Sequence, residues 1–123
     1  MSVWAWYPNM AKVVDKARSA AEEAGVEAQL FVCERGSSFG YGNLVVDMRS
    51  FTRMREATQC PVVYDGTHSV QRPGEAATGT GGDPQFIPTL VRAAIAAGAD
   101  ALFLETHPTP ERAPSDGANM LRL

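Results

Sequence analysis

Ionisable and hydrogen-bonding side chains gather in three short clusters, Glu34-Arg35, Asp65-Gly66-Thr67-His68 and Glu105-Thr106-His107-Pro108, and a lone Asp116 trails the last. Arg35, set just before Gly36, would hold a phosphate or carboxylate through two parallel hydrogen bonds. A salt bridge to Glu34 or Asp65 is the alternative that its position leaves open. His68, Glu105 and Asp116 offer one imidazole and two carboxylates, a donor mixture that suits a divalent metal such as Mn²⁺, Fe²⁺ or Zn²⁺. Their spacing is not a motif by itself, and a hydrogen-bonded structural histidine is the other reading of His68. The Gly-rich stretch 74–82 lacks the Gly-Lys-Ser/Thr of a phosphate-binding loop and does not join a strand end to a helix start. It reads as a mobile lid over the polar clusters, or as inert slack.

Residues so far apart in sequence act together only if the intervening elements bring them to one place. Met10, Val13, Val14, Ala17, Ala20, Ala21 and Ala24 recur at helical steps, which predicts a helix over 9–24 stopped by Gly25. Gln29 to Cys33 is an apolar run without alternation, the pattern of a strand buried on both faces. A second helix is expected from about Asp47 to Thr58 and a second buried strand at Pro61–Tyr64. Ser69 to Asp83 reads as loop, rich in glycine. A third helix is expected from Pro84 to about Ala97 with Gly98 as its stop, then a third buried strand at Ala101–Leu104 and a polar loop tail. Helices alternating with short apolar strands imply an α/β fold with a parallel sheet and right-handed crossovers. In such a sheet Arg35, His68 and Glu105 leave neighbouring strands at one carboxyl rim, where α/β folds bind ligands.

Composition narrows the function classes. The 123 residues carry 11 Lys plus Arg against 14 Asp plus Glu, a formal charge of −3, which argues against nucleic acid as the partner. With 45% hydrophobic and 20% charged residues the chain is not a disordered one. No apolar run approaches the roughly 20 residues of a membrane helix, and the first residues do not read as a secretory signal, so a cytoplasmic location without membrane contact is the expectation. Cys33 and Cys60 are too few for a disulfide scaffold and read as small buried thiols. Trp4, Trp6 and Tyr7 read as packing near a chain start.

Four blocks carry a resemblance: Cys33-Glu34-Arg35-Gly36-Ser37-Ser38-Phe39-Gly40-Tyr41-Gly42-Asn43-Leu44-Val45-Val46-Asp47-Met48-Arg49-Ser50, Cys60 through Gln71, Phe103-Leu104-Glu105-Thr106-His107-Pro108, and Ser115-Asp116-Gly117-Ala118-Asn119-Met120-Leu121. Together they resemble 3-deoxy-D-manno-octulosonate 8-phosphate synthase, from about residue 10 onward. The resemblance implies that residues 1–123 are the C-terminal part, about three βα units, of a (β/α)8 TIM barrel. The implied transferase condenses phosphoenolpyruvate with D-arabinose 5-phosphate and releases phosphate, in lipopolysaccharide inner-core biosynthesis. It implies Arg35 on the phosphoenolpyruvate phosphate and Gln71 and Asp116 on the substrate cavity. His68, Glu105 and Asp116 would hold a metal in metal-dependent members and orient substrate and water in the others. The related 3-deoxy-D-arabino-heptulosonate 7-phosphate synthases share the arginine, the histidine and Glu-x-His-Pro, but Ser38-Phe39-Gly40-Tyr41 and Val45-Val46-Asp47-Met48-Arg49 look like the eight-carbon enzymes.

A complete barrel needs about 250 residues, so the resemblance implies that this chain alone is inactive. Activity would require a partner supplying the N-terminal half or a longer reading frame, and the resemblance implies assembly as a homotetramer. The reading from another class is a non-catalytic remnant or assembly module that lends strands to an intact homologue.

Overall fold

In the computed structural model, which describes residues 7–38, 42–76 and 79–123, the expected alternation of helical and extended stretches is present. In chain order the elements are α1 (Tyr7–Glu23), β1 (Val32–Glu34), β2 (Ser37–Ser38), β3 (Leu44–Val45), α2 (Ser50–Thr58), β4 (Val62–Asp65), β5 (Gln71–Ala76), β6 (Gly79–Gly82), α3 (Ile87–Ala96), β7 (Ala101–Phe103), β8 (Thr106–His107) and β9 (Leu121–Arg122). Single 3-10 turns cover His68–Val70, Pro84–Phe86 and Pro110–Arg112.

Strands β1, β4 and β7 form one parallel sheet in that order. Val32 lies opposite Val62 and Cys33 opposite Val63; Val63 lies opposite Ala101 and Asp65 opposite Phe103. Side chains alternate across a strand, so Val32, Val62 and Tyr64 look to one side while Cys33, Val63, Asp65 and Phe103 look to the other. The first side is the core, where Met10 and Val14 of α1, Phe51 and Met54 of α2 and Ala94 of α3 pack on the sheet. Phe51 and Tyr64, both fully buried, meet edge to face with ring centroids 6.0 Å apart, worth about 0.5–1.5 kcal/mol beyond their burial. Asp100 ties three elements together just before β7: its Oδ2 accepts the Val62 N–H at 2.7 Å and Arg55 Nη2 of α2 at 2.7 Å.

Several expectations change. The strands are not buried on both faces: all three residues of β7 are exposed, and Phe31 beside β1 is 66% exposed. Helices cover one side of this sheet, and among the described residues no second layer covers the other. The continuous apolar run therefore records a surface suited to a covering layer that these residues do not supply. The first strand begins at Val32 rather than Gln29. Ser69–Asp83 is not loop: after the 3-10 turn, β5 and β6 pair antiparallel with a register shift between Arg72 and Ala76. Backbone ladders need no side chains, so a hairpin can form where residue propensity argues against one. The polar tail likewise contains a short parallel pair, Thr106 with Leu121 and His107 with Arg122. Cys60 is buried as expected, but Cys33 is half-buried, because it faces the uncovered side. Trp4 and Trp6, and Phe39 to Tyr41 of the resemblance block, lie outside the described residues.

Candidate active site

The rim of the parallel sheet is organised by Asp65, the last residue of β4 and only 6% exposed. Its Oδ1 accepts the backbone N–H of Thr67 at 3.1 Å and of His68 at 2.9 Å, which folds the chain back as it leaves the strand. Its Oδ2 meets His68 Nδ1 at 2.7 Å. An ionised carboxylate can only accept, so in the neutral ring this contact puts the proton on Nδ1 and leaves the lone pair on Nε2. That Nε2 stands 3.6 Å from Glu105 Oε1. The Phe103 ring stacks on the imidazole, centroids 6.0 Å apart and 22° from parallel.

Glu105 follows β7 and is placed by the turn after β4, since its N–H donates to the Oγ1 of fully buried Thr67 at 2.7 Å. Asp116 arrives from the far loop with φ +52, an uncommon left-handed conformation for a non-glycine residue. Gln71, the first residue of β5, donates Nε2 to Asp116 Oδ1 at 2.8 Å and accepts Arg35 Nη2 on its Oε1 at 3.4 Å. Gln71 thus bridges the guanidinium behind β1 to the carboxylate before β9. Glu34, paired with Arg35 in the sequence, turns its carboxylate onto the Gly36 N–H at 2.6 Å.

The donor atoms of His68, Glu105 and Asp116 all lie within 4.8 Å of one another, and each residue is partly exposed. Ligands on opposite sides of a small divalent cation stand about 4 Å apart, so modest side-chain shifts would close the three donors on one ion. One neutral imidazole nitrogen and two carboxylates, with the imidazole oriented by Asp65 behind it, fit Mn²⁺, Fe²⁺ or Zn²⁺.

Beside this cluster a bay of about 530 Å³ runs along β1, from Met10 and Val13 of α1 to Phe31, Cys33, Val63 and Phe103 on the uncovered side, with Arg35 and His68 also on its wall. Burial pushes the Cys33 thiol up to about 11, and the nearby Asp65 and Glu34 charges add to the effect. Cys33 is therefore a protonated thiol at neutral pH and a poor metal ligand.

Every predicted site residue reaches this rim: Arg35, His68, Gln71, Glu105 and Asp116 form one connected group. His107 does not join the cluster; its Nδ1 accepts the Thr109 N–H at 2.9 Å and shapes the following turn. Asp65 and Thr67, which orient the histidine and the glutamate, were not singled out from the sequence as orienting groups. The Asp-x-x-His spacing at a strand end was the available signal, because a carboxylate there reaches both the backbone and the ring three residues on. The base of the expected lid is pinned, with Arg72 Nε 3.3 Å from Asp83 Oδ2 across the hairpin.

A parallel sheet with an arginine, a histidine and a glutamate on one rim invites comparison with known proteins, and residues 9–123 match the DAHP synthetase I family. The chain belongs to that family. This family member is 57% identical over 116 residues to the 2-dehydro-3-deoxyphosphooctonate aldolase of Paraburkholderia xenovorans (strain LB400), a match covering 94% of the chain and 40% of the relative. The proteins of the same name from Bordetella petrii and Cupriavidus necator match at 57% over 116 residues with the same coverage. The resemblance read from the four blocks is borne out. The chain spans about two fifths of the length of the curated relatives it matches. None of its described helices is long and apolar enough to cross a membrane.

Proposed function

We propose that this chain supplies one rim of a synthase that condenses phosphoenolpyruvate with D-arabinose 5-phosphate to 3-deoxy-D-manno-octulosonate 8-phosphate. The observation that carries the reading is the convergence of His68, Glu105 and Asp116 within 4.8 Å, joined to Arg35 through Gln71. The eight-carbon product is favoured over the seven-carbon one by the names of the relatives at 57% identity.

In the proposed reaction C3 of the enol ether forms a bond to the sugar aldehyde carbon, and water adds at C2. The C2–O bond to phosphorus then breaks and inorganic phosphate leaves. Arg35 holds the phosphate of phosphoenolpyruvate from ground state to departure, where a preorganised cation is worth most. Gln71 keeps Arg35 and Asp116 in register, and Glu105 and Asp116 are placed to take the proton of the adding water. A divalent metal on His68, Glu105 and Asp116 would act as a Lewis acid toward a substrate oxygen or water. Phe103 and Cys33 keep that side of the bay apolar.

The sheet is read as part of a (β/α)8 barrel, in the cytoplasm, whose remaining strands lie outside these 123 residues, in an assembly read as a homotetramer. The outer edges of β1 and β7 and the exposed Phe31 and Phe103 are the surfaces such a partner would cover. Alone, the 123 residues of this chain are expected to be inactive, because three strands cannot close a barrel. The experiment measures phosphate release from both substrates by the chain alone and with the unmatched portion of the Paraburkholderia relative added. Activity on mixing that vanishes with His68→Ala supports the reading. No phosphate release from a complex that has formed favours the non-catalytic assembly module, and faster turnover with erythrose 4-phosphate favours the seven-carbon synthase.

A further inference from the structure

Asn119 is fully buried, yet among the described residues neither its carbonyl oxygen nor its amide nitrogen has a hydrogen-bond partner. An unpaired buried polar atom costs about 1–3 kcal/mol, so polar bonding does not explain this side chain. Its carboxamide instead rests on Gly82. A Cβ at position 82 would overlap the Asn119 oxygen and lie 2.6 Å from Cγ and 3.2 Å from Nδ2. Gly82 is not among the residues of positive φ, so space and not backbone conformation demands glycine there.

Both residues connect to Asp116, Asn119 directly and Gly82 through Gln71. Gly82 pairs with Gln71 across the hairpin, and Gln71 donates to the Asp116 carboxylate at 2.8 Å. The Asn119 N–H donates to the Asp116 carbonyl at 2.9 Å. Asp116 itself holds φ +52, a strained conformation that costs about 1–3 kcal/mol and persists only where its surroundings enforce it.

We propose that Asn119 and Gly82 form a steric seat that positions Asp116. The carboxamide on the bare Cα of Gly82 locks the turn 116–119 to the base of the hairpin. Asp116 is thereby held in its left-handed conformation, with its carboxylate on Gln71 and beside His68 and Glu105. Asn119 and Gly82 are positioning residues and touch neither metal nor substrate. Only the cation measurement below rests on the proposed metal role of the cluster.

The test uses Gly82→Ala, Asn119→Ala and the double variant in the full chain, with two readouts. Amide hydrogen exchange at position 119 is followed in metal-free protein, and Co²⁺ affinity by titration. Each single variant is expected to speed exchange at 119 and weaken Co²⁺ binding by about tenfold, while the amides of α2 keep their wild-type rates. In the double variant the new methyl occupies space left by the carboxamide, so exchange should recover toward wild type, a non-additive result that a shared contact requires. Unchanged exchange in both single variants, or losses that simply add in the double, would overturn the seat. Should Gly82→Ala fail to fold, refolding of the double variant supports the seat and its failure overturns it. A wild-type chain that takes up no Co²⁺ while the exchange pattern holds removes the metal reading and leaves the seat standing.

Discussion

Replacing Asp65 by asparagine separates the support of the fold from the chemistry of the histidine. The carboxylate makes three contacts, two to the backbone N–H groups of Thr67 and His68 and one to His68 Nδ1 at 2.7 Å. Asparagine is the same size and can keep its carbonyl oxygen on the two backbone donors. Its NH2 then faces the ring, so Nδ1 must give up its proton and accept, and the proton moves to Nε2. Exchanging charge-assisted hydrogen bonds for neutral ones costs about 1 kcal/mol of stability. The effect on the site is larger, because Nε2 bearing a proton has no lone pair for a cation and instead points a donor at Glu105 Oε1, 3.6 Å away. Loss of an orienting carboxylate behind a metal-binding histidine weakens metal affinity by about 10–100-fold. Long-range ¹H–¹⁵N correlations of the imidazole in metal-free protein report which nitrogen is protonated, and Co²⁺ titration reports affinity. An Asp65→Asn protein that keeps Nδ1 protonated and binds Co²⁺ as tightly as wild type refutes the reasoning.

Thr67→Val leaves the part-buried Glu105 N–H without its acceptor, so chemical denaturation should show a loss of about 1 kcal/mol, with the Glu105 amide among those exchanging faster. Cys33, raised from 9.0 to about 11, should be alkylated by iodoacetamide at pH 8 about a hundredfold more slowly than a free thiol; mass spectrometry after timed quenching measures this, and a rate equal to glutathione's contradicts it. Asp100 is held below its ordinary 3.8 by the Val62 N–H and then by Arg55. A depressed carboxylate contributes its stability above the unfolded value and loses it as pH falls through the folded one. Melting of wild type and Asp100→Asn should therefore differ most above about pH 4 and converge in stronger acid.

The helices and strands that carry the site were legible because each has a period or an apolar run that physics ties to one conformation. Met10, Val13, Val14 and Ala17 could only be one face of a helix, and Val62 to Tyr64 only a short inner strand. The hairpin at 71–82 was not legible, since its pairing rests on backbone hydrogen bonds between glycine-rich segments whose side chains carry no signal. The overestimate of strand burial has the opposite cause. Phe31 and Phe103 are written for a covering layer, and sequence reports the preference of a surface, not whether it is met.

The amino-acid order by itself determined that Arg35, His68 and Glu105 follow apolar strands, and parallel pairing then obliges them to share a rim. It could not determine that Asp65 turns His68 by its Nδ1, that Thr67 carries Glu105, or that Gln71 spans Arg35 and Asp116. Those contacts join residues 3 to 45 positions apart, at distances that depend on how each turn leaves its strand. Chemical type is a local property of the chain, whereas aim is set only when the sheet and its loops have closed around the same few ångströms.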